Sequence, residues 1–103
     1  MRWHVYLVRC KDGSLYCGIA ADLTARLLQH NSGRGAKYIV PSRRPVECVW
    51  RRTVADKSRA LRLEYWIKQL DVAEKRSLAE GAVTPRAHRE DGWRLVNRPP
   101  RGA

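Results

Sequence analysis

Two kinds of apolar spacing alternate along the first eighty residues, and each predicts a different element. "WHVYLVRC" (3–10) and "LYCGI" (15–19) are β-branched and aromatic runs on either side of the turn signal "KDGS", and they read as a hairpin. Its register decides which side chains share a face. A two-residue Asp12-Gly13 turn puts Tyr6 and Tyr16 on opposite faces. A three-residue Lys11-Asp12-Gly13 loop, with Gly13 left-handed in a bulge, puts both on one face with His4, Val8, Cys10, Ser14 and Gly18. The other face is then Trp3, Val5, Leu7, Arg9, Leu15, Cys17 and Ile19, apolar except at Arg9, and this cleaner segregation selects the three-residue loop.

The strand is expected to break at Gly18, and helical spacing takes over from about Asp22 to Asn31. Asp22 serves as the cap and Asn31-Ser32-Gly33 as the stop. Leu23 and Leu27 point inward, while Arg26 and His30 lie within ~60° of Leu23, at the border of the buried stripe. "ECVWRRTV" (47–54) alternates as a third strand. "KSRALRLEYWIKQL" (57–70) is a second helix with Ala60, Leu63, Ile67 and Leu70 on one side and Glu64 inside the apolar arc. "DVAEKRSLAEG" is a third, with Asp71 and Glu74 in a capping-box arrangement and Gly81 as stop. The order β-β-α-β-α-α predicts an α+β fold: a small antiparallel three-stranded sheet flanked by helices, over residues 1–81. Residues 82–103 form a basic Pro/Arg-rich tail with one apolar knot, "GWRLV", either docked or loose.

Charge adds what periodicity does not show. The 103 residues carry 21 Lys+Arg against 10 Asp+Glu, a formal net charge of +11. A hydrophobic content of 44% is ordinary for a globular chain, so this is a folded domain and not a disordered basic tail. Such a field favours polyanions, with nucleic acid as the expected partner. The loop "SGRGAKYIVPSRRP" (32–45) supplies Arg34, Lys37, Arg43 and Arg44 as nucleic-acid contacts on an expected mobile cationic rim. No apolar run approaches the ~20 residues needed to span a bilayer, and no membrane partner is expected. Arg9, Lys11 and Asp12 interrupt the N-terminal apolar stretch, and no small-residue cleavage site follows. Cys10, Cys17 and Cys48 lack CxxC or Cys/His zinc spacing, so reduced thiols in a cytoplasmic protein are expected.

Taken singly, the chemistry-bearing residues have ordinary uses. Strand tyrosines pack, Arg26 lies over a leucine stripe, His30 gains at a helix C-terminus as a cation, and Glu64 pairs with Lys68 at i+4. Their order along the chain is more specific. "HVY" at 4–6 and "YCG" at 16–18, then "GIAADLTARLLQHNSGRGAKY" and "RALRLEYWIKQL", resemble the GIY-YIG endonuclease superfamily, above all its short stand-alone bacterial members. Departures from that pattern are His4 and Val5 in the first motif, Cys17 in the second, and Ala20-Ala21 where a Thr or Lys often stands. Only Asn97 is available as the late Asn.

The resemblance implies a GIY-YIG nuclease-like fold and a metal-dependent endonuclease hydrolysing phosphodiester bonds of branched, nicked or damaged DNA. The other reading is a non-catalytic nucleic-acid-binding module that retains the fold. It further implies Tyr6 as base or water-positioning group, its phenol lowered by Arg26, Lys37 and the positive field. Tyr16 would shape the same pocket, Arg26 would hold the scissile phosphate, and His30 would orient a tyrosine or relay a proton. Glu64 would hold one divalent cation, Mg²⁺ or another such as Mn²⁺, with no small-molecule cofactor.

Overall fold

β1 (Trp3–Arg9) is the middle strand of a three-stranded antiparallel sheet, with β2 (Leu15–Ala20) on one side and β3 (Glu47–Val54) on the other. Val5, Tyr6, Leu7 and Val8 are all buried. A strand covered on both faces needs an unbroken apolar run, and β1 supplies one. The computed structural model describes residues 1–88 and 92–98.

β1 and β2 pair with Tyr6 opposite Gly18 and Val8 opposite Tyr16, which is the register of the three-residue loop. Gly13 sits at φ +87°, and its N–H donates to the Cys10 carbonyl at 2.9 Å. Both tyrosines therefore share a face. One expectation fails here: β2 runs on through Gly18 to Ala20 without a break.

The sheet separates two apolar layers. On one face Val5, Leu7 and Cys17 meet Ala60, Leu63 and Ile67 of α2 (Lys57–Lys68), with Leu78 of α3 (Val72–Ala79). The Asp71–Glu74 capping box of α3 is formed from both sides. On the other face Tyr6, Val8 and Cys10 meet Leu23 of α1 (Leu23–Ser32) together with Ile39 and Val46 from the loop that follows. No helix among the described residues is long and apolar enough to cross a membrane.

That loop is fastened, not mobile as its Gly, Pro and basic content suggested. Lys11 N–H donates to the Arg43 carbonyl at 3.0 Å, and a short 3-10 turn spans Pro41–Arg43. Asn31 clasps the chain where β3 begins: its Nδ2 donates to the Val46 carbonyl at 3.2 Å, and its Oδ1 accepts from Val46 N–H at 2.7 Å.

After α3 the chain forms a second hairpin, β4 (Val83–His88) and β5 (Gly92–Asn97), where the sequence suggested only a knot in a tail. Trp93 and Val83 pack on the α2 layer, and Arg52 of β3 donates to the Pro85 carbonyl and Thr84 Oγ1, both at 2.8 Å. Pro85 hides the strand from a propensity reading, yet a two-stranded ribbon has outer edges where a missing N–H costs no ladder bond. Asn97 closes this hairpin opposite Val83.

The Asn31 clasp yields a direct expectation. Asn31→Ala leaves the buried Val46 backbone groups without partners and should lower the free energy of urea unfolding by about 1–3 kcal/mol. An unchanged unfolding midpoint would show that the clasp does not hold α1 to β3.

Candidate active site

Tyr6 and His30 meet beneath α1. Both are fully buried, and Tyr6 Oη lies 2.8 Å from His30 Nε2. Leu23 and His30 are seven residues apart on α1, so the same helical face that buries the leucine buries the imidazole.

Two glycines make this pair possible. A Cβ on Gly18, the cross-strand partner of Tyr6, would collide with Tyr6 Oη and stand 2.7 Å from Cζ. A Cβ on Gly35 would strike His30 Nδ1 and come within 2.7 Å of its Cα. With bare backbone at Gly35, the loop closes over the ring and Ala36 N–H donates to His30 Nδ1 at 3.2 Å. A neutral imidazole that accepts at Nδ1 carries its proton on Nε2. His30 therefore donates to Tyr6 Oη, and the phenol keeps its own hydrogen for another partner.

Acidities follow from the same burial. The Tyr6 phenol is pushed up to about 12 by burial, with the adjacent Arg26 guanidinium pulling the other way. The expected lowering of Tyr6 by surrounding cations is thus reversed, because desolvation outweighs the single cation in contact. The His30 imidazole is pushed down to about 4, first by burial and then by the charge of Arg26. At neutral pH the pair is a neutral imidazole and a neutral phenol.

Tyr16 and Arg26 are half-buried and form the outer part of the cluster. The Tyr16 ring stands edge-on to His30 at 5.7 Å between centroids, and Tyr38 stacks on Tyr16, also at 5.7 Å. The Arg43 guanidinium lies 4.1 Å from the Tyr38 centroid, donates to the Tyr38 carbonyl at 2.9 Å, and pairs with Asp12 at 3.0 Å. Hydrogen bonds from Ser14, and then Arg43, hold the Asp12 carboxyl down at about 2. Arg26 also donates to Gln29 Oε1 at 3.0 Å.

Of the expected site residues, Tyr6, Tyr16, Arg26 and His30 converge on one face of the sheet. Glu64 lies beside Cys17 on the α2 face and contributes, after burial, to pushing that thiol up to about 12. Its carboxylate is 3.6 Å from Lys68 Nζ, with 18% of its side chain exposed. Glu64 therefore lies on the face opposite the tyrosines, while its partner Lys68 lines a hollow of about 280 Å³ together with Tyr16 and Tyr38.

The four expected nucleic-acid contacts divide in two. Arg34 and Lys37 are exposed and form no ion pair among the described residues. Arg43 is engaged by Asp12 and Tyr38, and Arg44 is half-buried with its side chain against Gly33, so neither is a free surface cation. Sequence reasoning left out Gly35, Tyr38 and Asp12. The available signal for Tyr38 was an aromatic residue amid a polar loop.

Residues 2–77 match the family described as the GIY-YIG catalytic domain. The chain belongs to the GIY-YIG family. It is 51% identical over 80 residues to a UPF0213 protein of Vibrio cholerae, covering 77% of this chain and 78% of that one. A UPF0213 protein of Staphylococcus epidermidis is 56% identical over 64 residues, 62% of this chain and 77% of that one. Two solution NMR structures are similar, each covering 78% of this chain and 84% of the other. They are a UPF0213 protein from Bacillus halodurans (39% identical, TM-score 0.50) and a protein from E. faecalis (32% identical, TM-score 0.54). GIY-YIG domains are endonucleases that act on nucleic acid and commonly use divalent metal ions, so a nuclease-type hydrolase is the general function. Among the described residues no group of three or more His, Cys, Asp or Glu could hold a metal.

The neutral His30 carries a pH expectation. Its folded value of about 4 lies below the ordinary 6.5, so the unfolded chain binds the extra proton between those limits. Its contribution is complete above pH 6.5 and is lost as pH falls toward 4, by about 3 kcal/mol. Asp12 loses its contribution only below that window. Unfolding free energies measured at pH 7 and pH 4 should show this drop, and His30→Gln should flatten it. A wild-type profile without the drop would mean that His30 is not a buried neutral imidazole.

Proposed function

We propose that this chain is a metal-dependent DNA endonuclease that hydrolyses phosphodiester bonds at branched, nicked or damaged sites. In this reading residues 1–81 are the catalytic unit, and the protein works in the cytoplasm with its cysteines reduced. The observation that carries it is the convergence of Tyr16 and Arg26, both accessible, on a wholly buried Tyr6–His30 hydrogen bond. A packing tyrosine does not require a strand glycine, a loop glycine and a buried imidazole to hold its hydroxyl.

The roles divide by accessibility. Arg26 faces the substrate and holds the scissile phosphate by charge-assisted hydrogen bonds, stabilising the charge that grows as water attacks. Tyr16 is the tyrosine a water can reach, and its hydroxyl orients that water. Tyr6, closed off and protonated, is a positioning residue that fixes Arg26 and His30. His30 passes the orientation of the loop to Tyr6 through its two ring nitrogens. Arg34 and Lys37 meet flanking phosphates.

Glu64 suits a cation bound through one protein carboxylate: it is partly exposed, and its counter-ion among the described residues, Lys68, is 3.6 Å away. Mg²⁺ or Mn²⁺ held this way keeps most of its waters, and it would supply positive charge to the phosphate and leaving oxygen.

Arg26→Ala should lower cleavage by ~10²–10³ while the chain stays folded. Tyr16→Phe should lower cleavage without loss of stability. Tyr6→Phe should lower both, since it strands the His30 Nε2–H at a cost of about 1–3 kcal/mol. Glu64→Gln should abolish cleavage and leave DNA affinity equal or slightly higher. These are read by nicking assays in Mg²⁺ beside thermal unfolding. If the wild type nicks DNA and folded Glu64→Gln nicks it equally fast, the carboxylate serves only its pair with Lys68. A wild type that binds DNA and cleaves no linear, nicked, flapped or branched form would leave the binding-module reading.

A further inference from the structure

A hollow of about 610 Å³ lies between α1, the edge of β3 and the C-terminal hairpin, and neither Glu64 nor the cationic loop lines it among the described residues. Leu23, Thr24 and Leu27 line it from α1, Arg51 from β3, and Thr84 and Arg98 from the hairpin end of the chain. Among the described residues its charged lining is arginine alone, with no carboxylate.

Sheet register fixes where it lies relative to the site. Arg51 is the β3 partner of Tyr6, so the two side chains leave the sheet on the same face. Arg51 is exposed and forms no ion pair or side-chain hydrogen bond among the described residues. Arg52, one residue on, points to the other face. Burial pushes its pKa down, and its guanidinium is committed to Thr84 and Pro85. That bond holds the hairpin against β3 and so builds the far wall of the hollow. The hairpin lies beyond the residues that match the GIY-YIG domain.

We infer that this groove binds the phosphodiester backbone of the nucleic-acid strand as it leaves the cleavage site, with Arg51 and Arg98 as its phosphate contacts. The inference rests on the proposed nuclease reading for the strand's direction, but the groove's charge stands by itself. A described lining whose charged residues are all arginine attracts a polyanion. Among the described residues no strand pairs with the outer edge of β3, so its backbone N–H groups there can add donors to phosphate oxygens. Phosphate contacts of this kind position a strand and carry no sequence information.

The test is fluorescence anisotropy of the full chain with labelled DNA of two unrelated sequences, in chelator so that nothing is cut, from 50 to 200 mM salt. Arg51→Gln and Arg98→Gln should each weaken both sequences alike, several-fold, and each reduce the salt slope by about 1. Arg62→Gln, an exposed arginine on α2 across the sheet, should change neither. Both groove variants binding with wild-type affinity and slope would overturn the inference. So would an equal loss in Arg62→Gln, because net charge alone would then account for binding. A wild type that binds as expected, loses affinity through Arg51 and Arg98, and never cleaves would retain the groove and remove the endonuclease reading. Absence of any DNA binding would remove both.

Discussion

One hydrogen bond, Tyr6 Oη to His30 Nε2, constrains the rest of the structure. Both groups are fully buried, and a buried polar group without a partner costs about 1–3 kcal/mol, so each must find the other. That single requirement explains residues far apart in the chain. Gly18 leaves space for the phenol, Gly35 lets the backbone lie on the imidazole, and Ala36 supplies the N–H that sets the tautomer. Once the loop has crossed His30, Tyr38 arrives on Tyr16 and Arg43 on Tyr38, and Asp12 at the hairpin turn completes the stack. The loop's cations are thus partly structural, and only some remain for a ligand.

The sheet gives this arrangement two sides. α2 packs on the face opposite the tyrosines, so Glu64 lies with Cys17 on the other side of the sheet from them. At one edge of the sheet, β3 places Arg51 on the tyrosine face and Arg52 on the other, where it fastens the C-terminal hairpin. The sheet therefore carries the tyrosine–histidine cluster on one face, Glu64 on the other, and an arginine-lined hollow along β3.

Much of this was legible in the residues. Asp12-Gly13 and the segregation of apolar positions fixed the register, and that register put Tyr6 and Tyr16 together. Spacing placed Arg26 and His30 at the border of the leucine stripe, although the full burial of His30 follows from its seven-residue separation from Leu23. Other features depended on groups that sequence proximity does not connect. The acidity of Tyr6 was misjudged because counting cations omits desolvation, which here is the larger effect. Arg43 read as a surface cation because its partner, Asp12, is 31 residues away. β4 was hidden by Pro85, and its docking by Arg52, an arginine that reads as surface charge and acts as an anchor.

The central claim is that His30 is neutral, with its proton on Nε2 and directed at Tyr6. Long-range ¹H–¹⁵N correlation of the His30 ring at pH 7 observes this directly. The account predicts a protonated Nε2 and an unprotonated, hydrogen-bond-accepting Nδ1. A ring protonated at Nδ1, or at both nitrogens, would contradict it, because Ala36 N–H could then have no acceptor there and the orientation of Tyr6 would need another cause.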